Sequence, residues 1–364
     1  MFSRPRVKPE HRPYRLASGA IRIGGLIYGV AAEIEDPDGT VWTLLQGMDG
    51  SRTLDDLVEL VCAGHPGEYA DTARQAVVDL CESGHIEDAV QHEPVRLTAR
   101  ERERYSRNQS FYRWIDLTPR TDQWHAQHRL RNAAIVVVGL GGMGGVAATA
   151  LAAAGVGQLH CVDTDTVELS NLNRQVLYTE DDLGHPKVDV AVARLNRLNS
   201  DITVTGEHRR ISATRDLIDF AARCDLLVLG ADSPHDISDW ANEACLTAGR
   251  PWIDGGYSGP HVTVATYRPG QGACYQCVVT TDRSNSPQPA GPDLDINTLT
   301  VGNAVTAATA GVCGNLVAHL AMSIITGVPQ ISPGTVYGID LGSMQNQFLL
   351  NYDRRADCPA CSAR

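Results

Sequence analysis

The amino-acid sequence predicts an α/β protein in which a small α+β domain precedes a larger domain built on a parallel sheet. The larger domain is indicated by a run of β-branched residues, Ile135–Val138, that leads directly into the glycine-rich segment Gly139–Gly144. The smaller domain is indicated by turn chemistry and two amphipathic helical patterns near the N-terminus. We therefore divide the chain into residues 1–95, a linker 96–131, and residues 132–364.

Composition excludes several classes of protein before any motif is read. The 364 residues are 43% hydrophobic and 20% charged, which is typical of a globular protein and not of a disordered, collagen-like or coiled-coil chain. A formal net charge of −12 disfavours nucleic acid as a partner, because phosphate binding needs a basic face. The basic segment Met1–Arg15 lacks the apolar stretch of a signal peptide. The longest apolar run, Ala310–Val328, contains Asn315 and His319, which favours a buried core helix over a membrane span, so we expect a cytoplasmic protein.

The first 95 residues predict a winged-helix-like arrangement. Two apolar runs, Leu26–Glu35 and Val41–Leu45, flank the turn sequence Asp36–Gly39 and predict a β-hairpin. Thr53 with an acid three residues later forms a capping box, which predicts that a helix begins there. A second helix is predicted over Asp71–Ser83.

Winged helices often bind DNA, but the charge of this region argues against that role. Residues 1–100 hold 16 acidic and 10 basic residues, and the second predicted helix carries Asp71, Asp79 and Glu82 against Arg74. An acidic face repels phosphate. A peptide- or protein-docking module is therefore the favoured interpretation, and a structural appendage without a partner is the alternative.

The segment Trp42–Leu57, continued by Val77–Ile86, resembles the PqqD-like recognition element of peptide-modifying enzymes. That resemblance implies that the first domain captures the leader of a ribosomally made precursor peptide.

The glycine-rich segment predicts a nucleotide site. Its glycines permit a tight turn, and the helix predicted from Gly145 to Ala154 directs its N-terminal amides at an anion. The next predicted strand, Gln158–Val162, places Asp163 where a carboxylate can bind a ribose hydroxyl. These features together predict a Rossmann-like nucleotide-binding domain with four candidate glycines: Gly139, Gly141, Gly142 and Gly144.

NAD would fit these features equally well, but the residues that follow favour ATP. Arg174 and Lys187 come after the acidic strand end, and Asp232 follows the predicted strand Leu226–Leu229. Hydride transfer has no need of such a cluster. Adenylation needs cations to offset the charge of pyrophosphate and a carboxylate to hold Mg2+.

From Arg104 to the C-terminus, the chain resembles the ubiquitin-activating-enzyme-like superfamily of ThiF/MoeB type. The resemblance implies an ATP-dependent adenylyltransferase in which Gly142 lies against the phosphates, Asp163 binds the ribose and Asp232 holds magnesium. Its implied catalytic residues are Arg107, Arg174, Lys187 and Asp232. Its implied nucleotide-binding residues are Gly139, Gly141, Gly142, Gly144, Asp163, Ser170, Asn171, Asn173, Arg174, Lys187 and Asp232.

The segment Arg104–Arg107 resembles the N-terminal motif of that family, Arg-Tyr-x-Arg-Gln, whose second arginine enters the site of the neighbouring subunit. This resemblance implies a homodimer in which the linker 96–131 is also a dimer-crossing segment and Arg107 acts in trans. The chain departs from the family pattern at Asn108, where the motif has glutamine, and at Ser233, where asparagine is usual.

Two Cys-x-x-Cys pairs predict a structural zinc site. The four thiolates of Cys274, Cys277, Cys358 and Cys361 would complete a tetrahedral shell and leave no open position for catalysis. The remaining six cysteines stand singly within apolar segments, which is typical of core packing. The crossover segment Thr281–Thr298, from which thioester-forming relatives take their catalytic cysteine, contains none, and Cys313 is interpreted as a packing residue.

These observations predict ATP-dependent adenylation of a carboxylate on a precursor peptide, followed by attack of a nitrogen or internal nucleophile without an enzyme thioester. The predicted cofactors are ATP, Mg2+ and Zn2+, and neither nucleic acid nor a membrane is an expected partner. Three alternatives stay open. They are adenylation of the C-terminal Gly-Gly of a ubiquitin-like sulfur carrier, non-catalytic peptide docking for a cyclodehydratase, and NAD-dependent oxidoreduction.

Overall fold

A computed structural model describes residues 2–26, 29–67, 69–90, 97–285 and 304–362. The chain divides into two compact units, residues 1–128 and 129–364. Part of the segment predicted as a linker, 97–128, is therefore included in the first unit. Each unit is described by itself below.

The first unit combines short strands with helices. Its described strands are β1 Pro5–Val7, β2 Tyr14–Arg15, β3 Ile21–Ile23, β4 Ala32–Ile34 and β5 Ile86–Asp88. Its described helices are α1 Thr40–Gly47, α2 Leu54–Gly64, α3 Ala70–Glu82, α4 Ala99–Arg104 and α5 Ser106–Ile115, and α6 His125–Asn132 spans the division between the units. Strands β2, β3 and β4 form an antiparallel sheet with β3 in the middle, and β1 pairs with β5.

The hairpin prediction was wrong in its second half, because Val41–Leu45 lies within helix α1 and not in a strand. The carboxylate of Asp36 accepts hydrogen bonds from the backbone amides of Val41 (2.9 Å) and Trp42 (3.1 Å). The Asp-Pro-Asp-Gly sequence therefore caps a helix, as a turn sequence with a side-chain acceptor can. The described residues of Leu26–Glu35 do include strand β4.

The two helices predicted in the first domain are confirmed. Thr53 accepts from the amide of Asp56 while the Asp56 carboxylate accepts from the amide of Thr53, so α2 begins with the predicted capping box. Helices α2 and α3 pack together, and Leu57, Val61 and Val77 are fully buried in the core of the unit.

The second unit is built on an eight-stranded mixed sheet in the described part of the chain, in the order β13-β12-β11-β10-β9-β6-β7-β8. Its strands are β6 Ala134–Val138, β7 Gln158–Asp163, β8 Thr203–His208, β9 Leu226–Leu229, β10 Trp252–Ser258, β11 His261–Tyr267, β12 Thr335–Asp340 and β13 Gln347–Asn351. Its helices are α7 Gly142–Ala154, α8 Lys187–Leu198, α9 Thr214–Ala222, α10 Ile237–Ala248, α11 Tyr275–Asn285 and α12 Ala307–Thr326.

Strands β6 to β10 are parallel, as the β-branched and continuously apolar runs predict. The helix after β6 begins at Gly142, three residues earlier than predicted, so two of the glycines lie in its first turn. The chain reverses order between β6 and β9, which lie side by side. Ligands of open α/β sheets bind at such a switch point, outside the carboxyl ends of the strands.

Strands β10 to β13 pair in antiparallel fashion and extend the sheet on one side. In the outermost pair, Gly338 of β12 stands opposite Phe348 of β13, and the phenyl ring lies where a side chain of residue 338 would begin. Only glycine lets the ring cover the strand in this way.

Helix α12 is long and apolar enough to satisfy the length and composition of a membrane span, and it is the only such helix among the described residues. It packs against α7 and against strands β10 and β11, and 56% of its most apolar window is buried. This packing is that of a core helix, as the polar residues within the apolar run predict.

Candidate active site

A cavity of about 650 Å³ opens at the carboxyl ends of the parallel strands in the second unit. It brings together eight of the residues selected from the sequence: Gly139, Gly141, Gly142, Asp163, Asn171, Arg174, Lys187 and Asp232. The same cavity is lined by further charged and polar residues that the sequence did not single out, which include Arg209, Arg210, Asp254 and Tyr257.

The glycine-rich turn forms one wall of the cavity, and each glycine has a distinct geometric role. Gly139 has φ +89°, and a Cβ there would collide with the backbone of Ala231. A Cβ on Gly144 would collide with the carbonyl oxygen of Gly139, so this glycine permits close packing of helix on strand and does not line the cavity. A Cβ on Gly142 would lie 2.9 Å from the Tyr257 hydroxyl, within the cavity wall itself. Gly142 also lines the cavity at the N-terminus of α7, and a helix N-terminus without a side-chain cap is suited to phosphate groups, so we call this wall the phosphate cradle.

Asp163 lies at the end of β7 as predicted, and its carboxylate accepts a hydrogen bond from the glycine-rich turn. Its Oδ2 accepts from the amide of Leu140 at 2.6 Å, and its Oδ1 accepts from the amide of Asp165 at 2.8 Å. Each carboxylate oxygen can accept a second hydrogen bond, so a ribose hydroxyl can still bind there. Ribose binding stays a prediction.

The two cations predicted from the sequence line the cavity from separate elements. The buried Lys187 begins α8, and its Nζ lies 3.0 Å from Oδ2 of Asp165. Arg174 donates from Nη1 to the Ser170 carbonyl at 2.9 Å and to Oδ1 of Asn173 at 3.0 Å. Ser170 and Asn173 are thus placed to orient Arg174, and neither lines the cavity.

Two carboxylates of the cavity come from the neighbouring strands β9 and β10 and the residues that follow them. Asp232 is exposed and follows β9, where it can hold a divalent cation against phosphates. Asp254 lies on β10, and burial raises the pKa of its carboxyl to about 6, although the amide of Gly255 and the hydroxyl of Ser238 lower it. The signal that could have found Asp254 is a lone acid within the apolar strand Trp252–Ser258.

The four predicted zinc ligands form a buried cluster. Their sulfur atoms all lie within 4.8 Å of one another, with Cys274–Cys277 at 3.8 Å and Cys274–Cys358 and Cys277–Cys361 at 3.6 Å. Zinc–sulfur bonds of about 2.3 Å in a tetrahedron require sulfur separations of about 3.8 Å. The four thiols therefore fit a zinc ion with a closed coordination shell.

The sequence also singled out Arg107 and Cys313, and neither residue lines the cavity. Arg107 lies on α5 in the first unit and is exposed, so its predicted role in trans stays a prediction. Cys313 is fully buried on α12, its thiol lies 3.6 Å from the Gly256 carbonyl, and burial raises its pKa to about 12. A thiol with so high a pKa is a poor nucleophile, which supports its interpretation as a packing residue.

Comparison with known proteins agrees with this geometry. Residues 105–360 match the model of the ThiF family. The chain is 32% identical over 65% of its length to the Arabidopsis thaliana adenylyltransferase and sulfurtransferase MOCS3, of which it covers 50%. It is also 32% identical over 65% of its length to the Escherichia coli sulfur carrier protein ThiS adenylyltransferase, of which it covers 88%. The chain therefore spans about half the length of the first relative and most of the second.

Among solved structures, the chain resembles that of Escherichia coli MccB over both units. The TM-score is 0.82 at 23% identity, covering 99% of this chain and 97% of MccB. At that identity the likeness shows the fold. The family match spans the glycine-rich turn, the cavity and all but the last of the four clustered cysteines. The chain belongs to the ThiF family, and it is an enzyme of the ThiF/MoeB adenylyltransferase type.

Proposed function

We propose that this protein uses ATP to adenylate a carboxylate of a ribosomally made precursor peptide. The observation that carries the proposal is a single cavity that joins the glycine-rich turn, the cations Arg174 and Lys187 and the exposed carboxylate of Asp232. A carboxylate oxygen of the peptide attacks the α-phosphorus of ATP, the bond from that phosphorus to the bridging oxygen breaks, and pyrophosphate leaves with the electron pair. The product is an acyl adenylate.

The residues of the cavity supply electrostatic stabilisation for this step. Arg174 and Lys187 lie where they can offset the charge that develops on the leaving pyrophosphate, and Asp232 can hold Mg2+. Removal of one such electrostatic contact costs about 3–4 kcal/mol of transition-state stabilisation. Gly142 and the open N-terminus of α7 receive the phosphates.

The first unit is proposed to hold the leader of the peptide. Strands β2 and β4 are the two edges of its small sheet, and an extended peptide can add to such an edge through backbone hydrogen bonds. MccB, whose fold extends over both units, has been solved in complex with N-formylated MccA and with ATP. The PqqD-like resemblance supports the same role, and we infer a cytoplasmic location for the reaction.

The activated carbonyl is proposed to react with a nitrogen or an internal nucleophile of the peptide. A thioester on the enzyme is not part of the proposal, because the buried Cys313 thiol has a pKa of about 12. AMP would then be the second leaving group.

Zinc is proposed to bind the four clustered cysteines and to stabilise the fold, without taking part in the reaction. Purified protein should contain about one zinc ion per chain by elemental analysis. Cys361→Ser should lower the thermal unfolding midpoint, and Cys62→Ser, on a half-buried cysteine outside the cluster, is the matched control. A zinc content well below one per chain would contradict the assignment.

The homodimer with Arg107 in trans is a further part of the proposal. Arg107→Ala and Asp232→Asn should each abolish adenylation. Mixed dimers of the two variants should regain about a quarter of wild-type activity, because half of the dimers are mixed and each has one intact site. No recovery after confirmed subunit exchange would place Arg107 in its own subunit's site or outside any site.

A second candidate substrate is the C-terminus of a sulfur-carrier protein. The relatives named for that chemistry, MOCS3 and the ThiS adenylyltransferase, favour it. Residues 1–104, most of the first unit, lie outside the 105–360 family match, and this additional part favours the peptide.

The decisive experiment measures ATP–pyrophosphate exchange with candidate precursor peptides and with a sulfur carrier, followed by intact-mass analysis of each. Peptide-dependent exchange supports the proposal, whereas exchange driven only by the carrier selects the second candidate. Asp232→Asn should lose exchange, and Asp219→Asn, an exposed acid on α9 outside the cavity, should not. Wild-type protein that binds no ATP would overturn both candidates.

A further inference from the structure

Asp254 lines the same cavity as the residues proposed to bind ATP. Asp254 of β10 pairs in parallel register with Leu229, the last residue of β9, and Asp232 follows three residues later. The two carboxylates thus line one wall of the cavity from adjacent strands. Tyr257, further along β10, reaches to 2.9 Å from the point where a Gly142 side chain would begin. The Tyr257 side chain of β10 therefore reaches the glycine-rich turn.

The surroundings of Asp254 contain no partner of opposite charge. No salt bridge to its carboxylate is found in the described part of the chain, and the nearest hydrogen-bond donor from a side chain is the Ser238 hydroxyl of α10, at 3.5 Å. The ionisable groups that face it from other elements are Tyr267 of β11, Tyr275 of α11 and Cys313 of α12. Burial raises the pKa of all three, so they are neutral near physiological pH.

A buried carboxylate that serves only structure is normally paired with a cation or with several strong donors. Asp254 has neither, yet it lines a cavity large enough for a nucleotide and an acyl group. Asp232 is better placed for a metal ion, because it is exposed and lies in the loop that follows β9. The Asp254 side chain is half-buried, and burial raises the pKa of its carboxyl to about 6. Such a carboxylate can accept a proton near neutral pH.

Resting on the proposed function, we propose that Asp254 is the general base of the second half-reaction and contacts the nitrogen nucleophile. The nitrogen attacks the acyl carbon, a C–N bond forms, and the bond from carbon to the phosphate oxygen breaks. AMP leaves with that electron pair, and the proton of the nitrogen passes to the Asp254 carboxylate. The released proton returns to solvent through the open side of the cavity.

The experiment separates the two half-reactions in the full-length protein with a peptide that supports pyrophosphate exchange. Asp254→Asn should retain exchange within about twofold of wild type. Its single-turnover rate of AMP release should fall about 100-fold, within the range typical of a lost general base. Asp232→Asn is the contrasting variant, because it should lose exchange itself. Thermal unfolding shows whether each variant is folded.

The pH dependence gives a readout that a structural role would not produce. In the wild type, the rate of AMP release should rise with pH and level off above the Asp254 pKa of about 6, because only the ionised carboxylate accepts a proton. Asp254→Asn should be slow and lack this rise. Asp254→Glu should restore part of the rate.

Three results would overturn the inference. The first is loss of exchange in Asp254→Asn as complete as in Asp232→Asn. The second is a rate of AMP release in Asp254→Asn that equals the wild-type rate. The third is a wild-type rate of AMP release that does not depend on pH around 6. The pH dependence of the wild-type rate needs no variant, so it tests the inference even if Asp254→Asn does not fold. Absence of exchange in the wild type with every peptide would instead reject the proposed function.

Discussion

The turns Asp36–Gly39 and Gly139–Gly141 each contain glycine and lead into a helix. The helix after the first turn has a side-chain cap at its N-terminus, and the helix after the second turn has none. In the first unit, the Asp36 carboxylate accepts from the amides of Val41 and Trp42, so α1 is capped by its own chain. In the second unit, Gly141 precedes α7 and makes no side-chain cap, and Gly142 and Met143 of the first turn line the cavity. A cap uses the free backbone amides of a helix N-terminus for hydrogen bonds within the chain. An uncapped N-terminus beside a cavity keeps its amides free to bind an anion.

The largest effect is expected for Gly144→Ala, which tests whether the second turn depends on backbone contact. The new methyl group would collide with the Gly139 carbonyl oxygen, so the turn must distort. We expect the free energy of unfolding to fall by about 3 kcal/mol, with loss of ATP binding. Chemical denaturation and calorimetry measure the two effects.

Gly311→Ala is the matched control, because this helical glycine on α12 has open space around the position of a Cβ. It should be as stable as wild type or slightly more stable. An equal loss in both variants would show that the contact with Gly139 is not the cause.

Gly142→Ala should separate binding from stability. Its methyl group would lie 2.9 Å from the Tyr257 hydroxyl and 3.0 Å from Cβ of Ala310, and it would occupy the phosphate cradle. We expect ATP affinity to fall at least tenfold, which is about 1.4 kcal/mol, with a smaller loss of stability. Unchanged affinity by titration calorimetry would place the phosphates elsewhere.

Asp36→Ala should produce the converse result in the first unit. Loss of the two amide contacts should cost about 1 kcal/mol of stability, while ATP affinity stays at the wild-type value. Asp36→Asn keeps an acceptor oxygen and should lose less. A change in ATP affinity of the alanine variant would contradict the purely structural role of this turn.

The smallest effect is expected for Gly39→Asn. Gly39 has φ +76°, and the nearest atoms to an added Cβ are side-chain atoms 3.6 Å away. Asparagine tolerates the left-handed region, so the cost should be about 0.5 kcal/mol. A fall in the free energy of unfolding as large as that of Gly144→Ala would show that the first turn depends on glycine as strongly as the second turn does.

The same comparison shows what the sequence could predict and what it could not. Periodicity and β-branched residues predicted β6, β7, β9, α2 and α3, because these elements depend on local patterns. Val41–Leu45 was predicted as a strand because an Asp-Pro-Asp-Gly turn can end in a hairpin or cap a helix. The choice depends on where the Asp36 side chain points, which the sequence does not show.

The candidate site divides in a similar way. The glycines, Arg174, Lys187 and Asp232 carry motif spacing, and the fold brings them to one cavity. Asp254 and Tyr257 carry none, because their place in the cavity depends on the pairing of β10 with β9. That pairing is a long-range contact that no local pattern encodes.

The Gly338–Phe348 pair at the outer edge of the sheet has an evolutionary consequence. Because the phenyl ring lies where a side chain at 338 would stand, residue 338 cannot gain a side chain while the ring is kept. A change of Gly338 should therefore accompany or follow the loss of the ring. Natural variants with a side chain at 338 should have lost the ring at 348, and a lineage that regained the ring should also have regained the glycine.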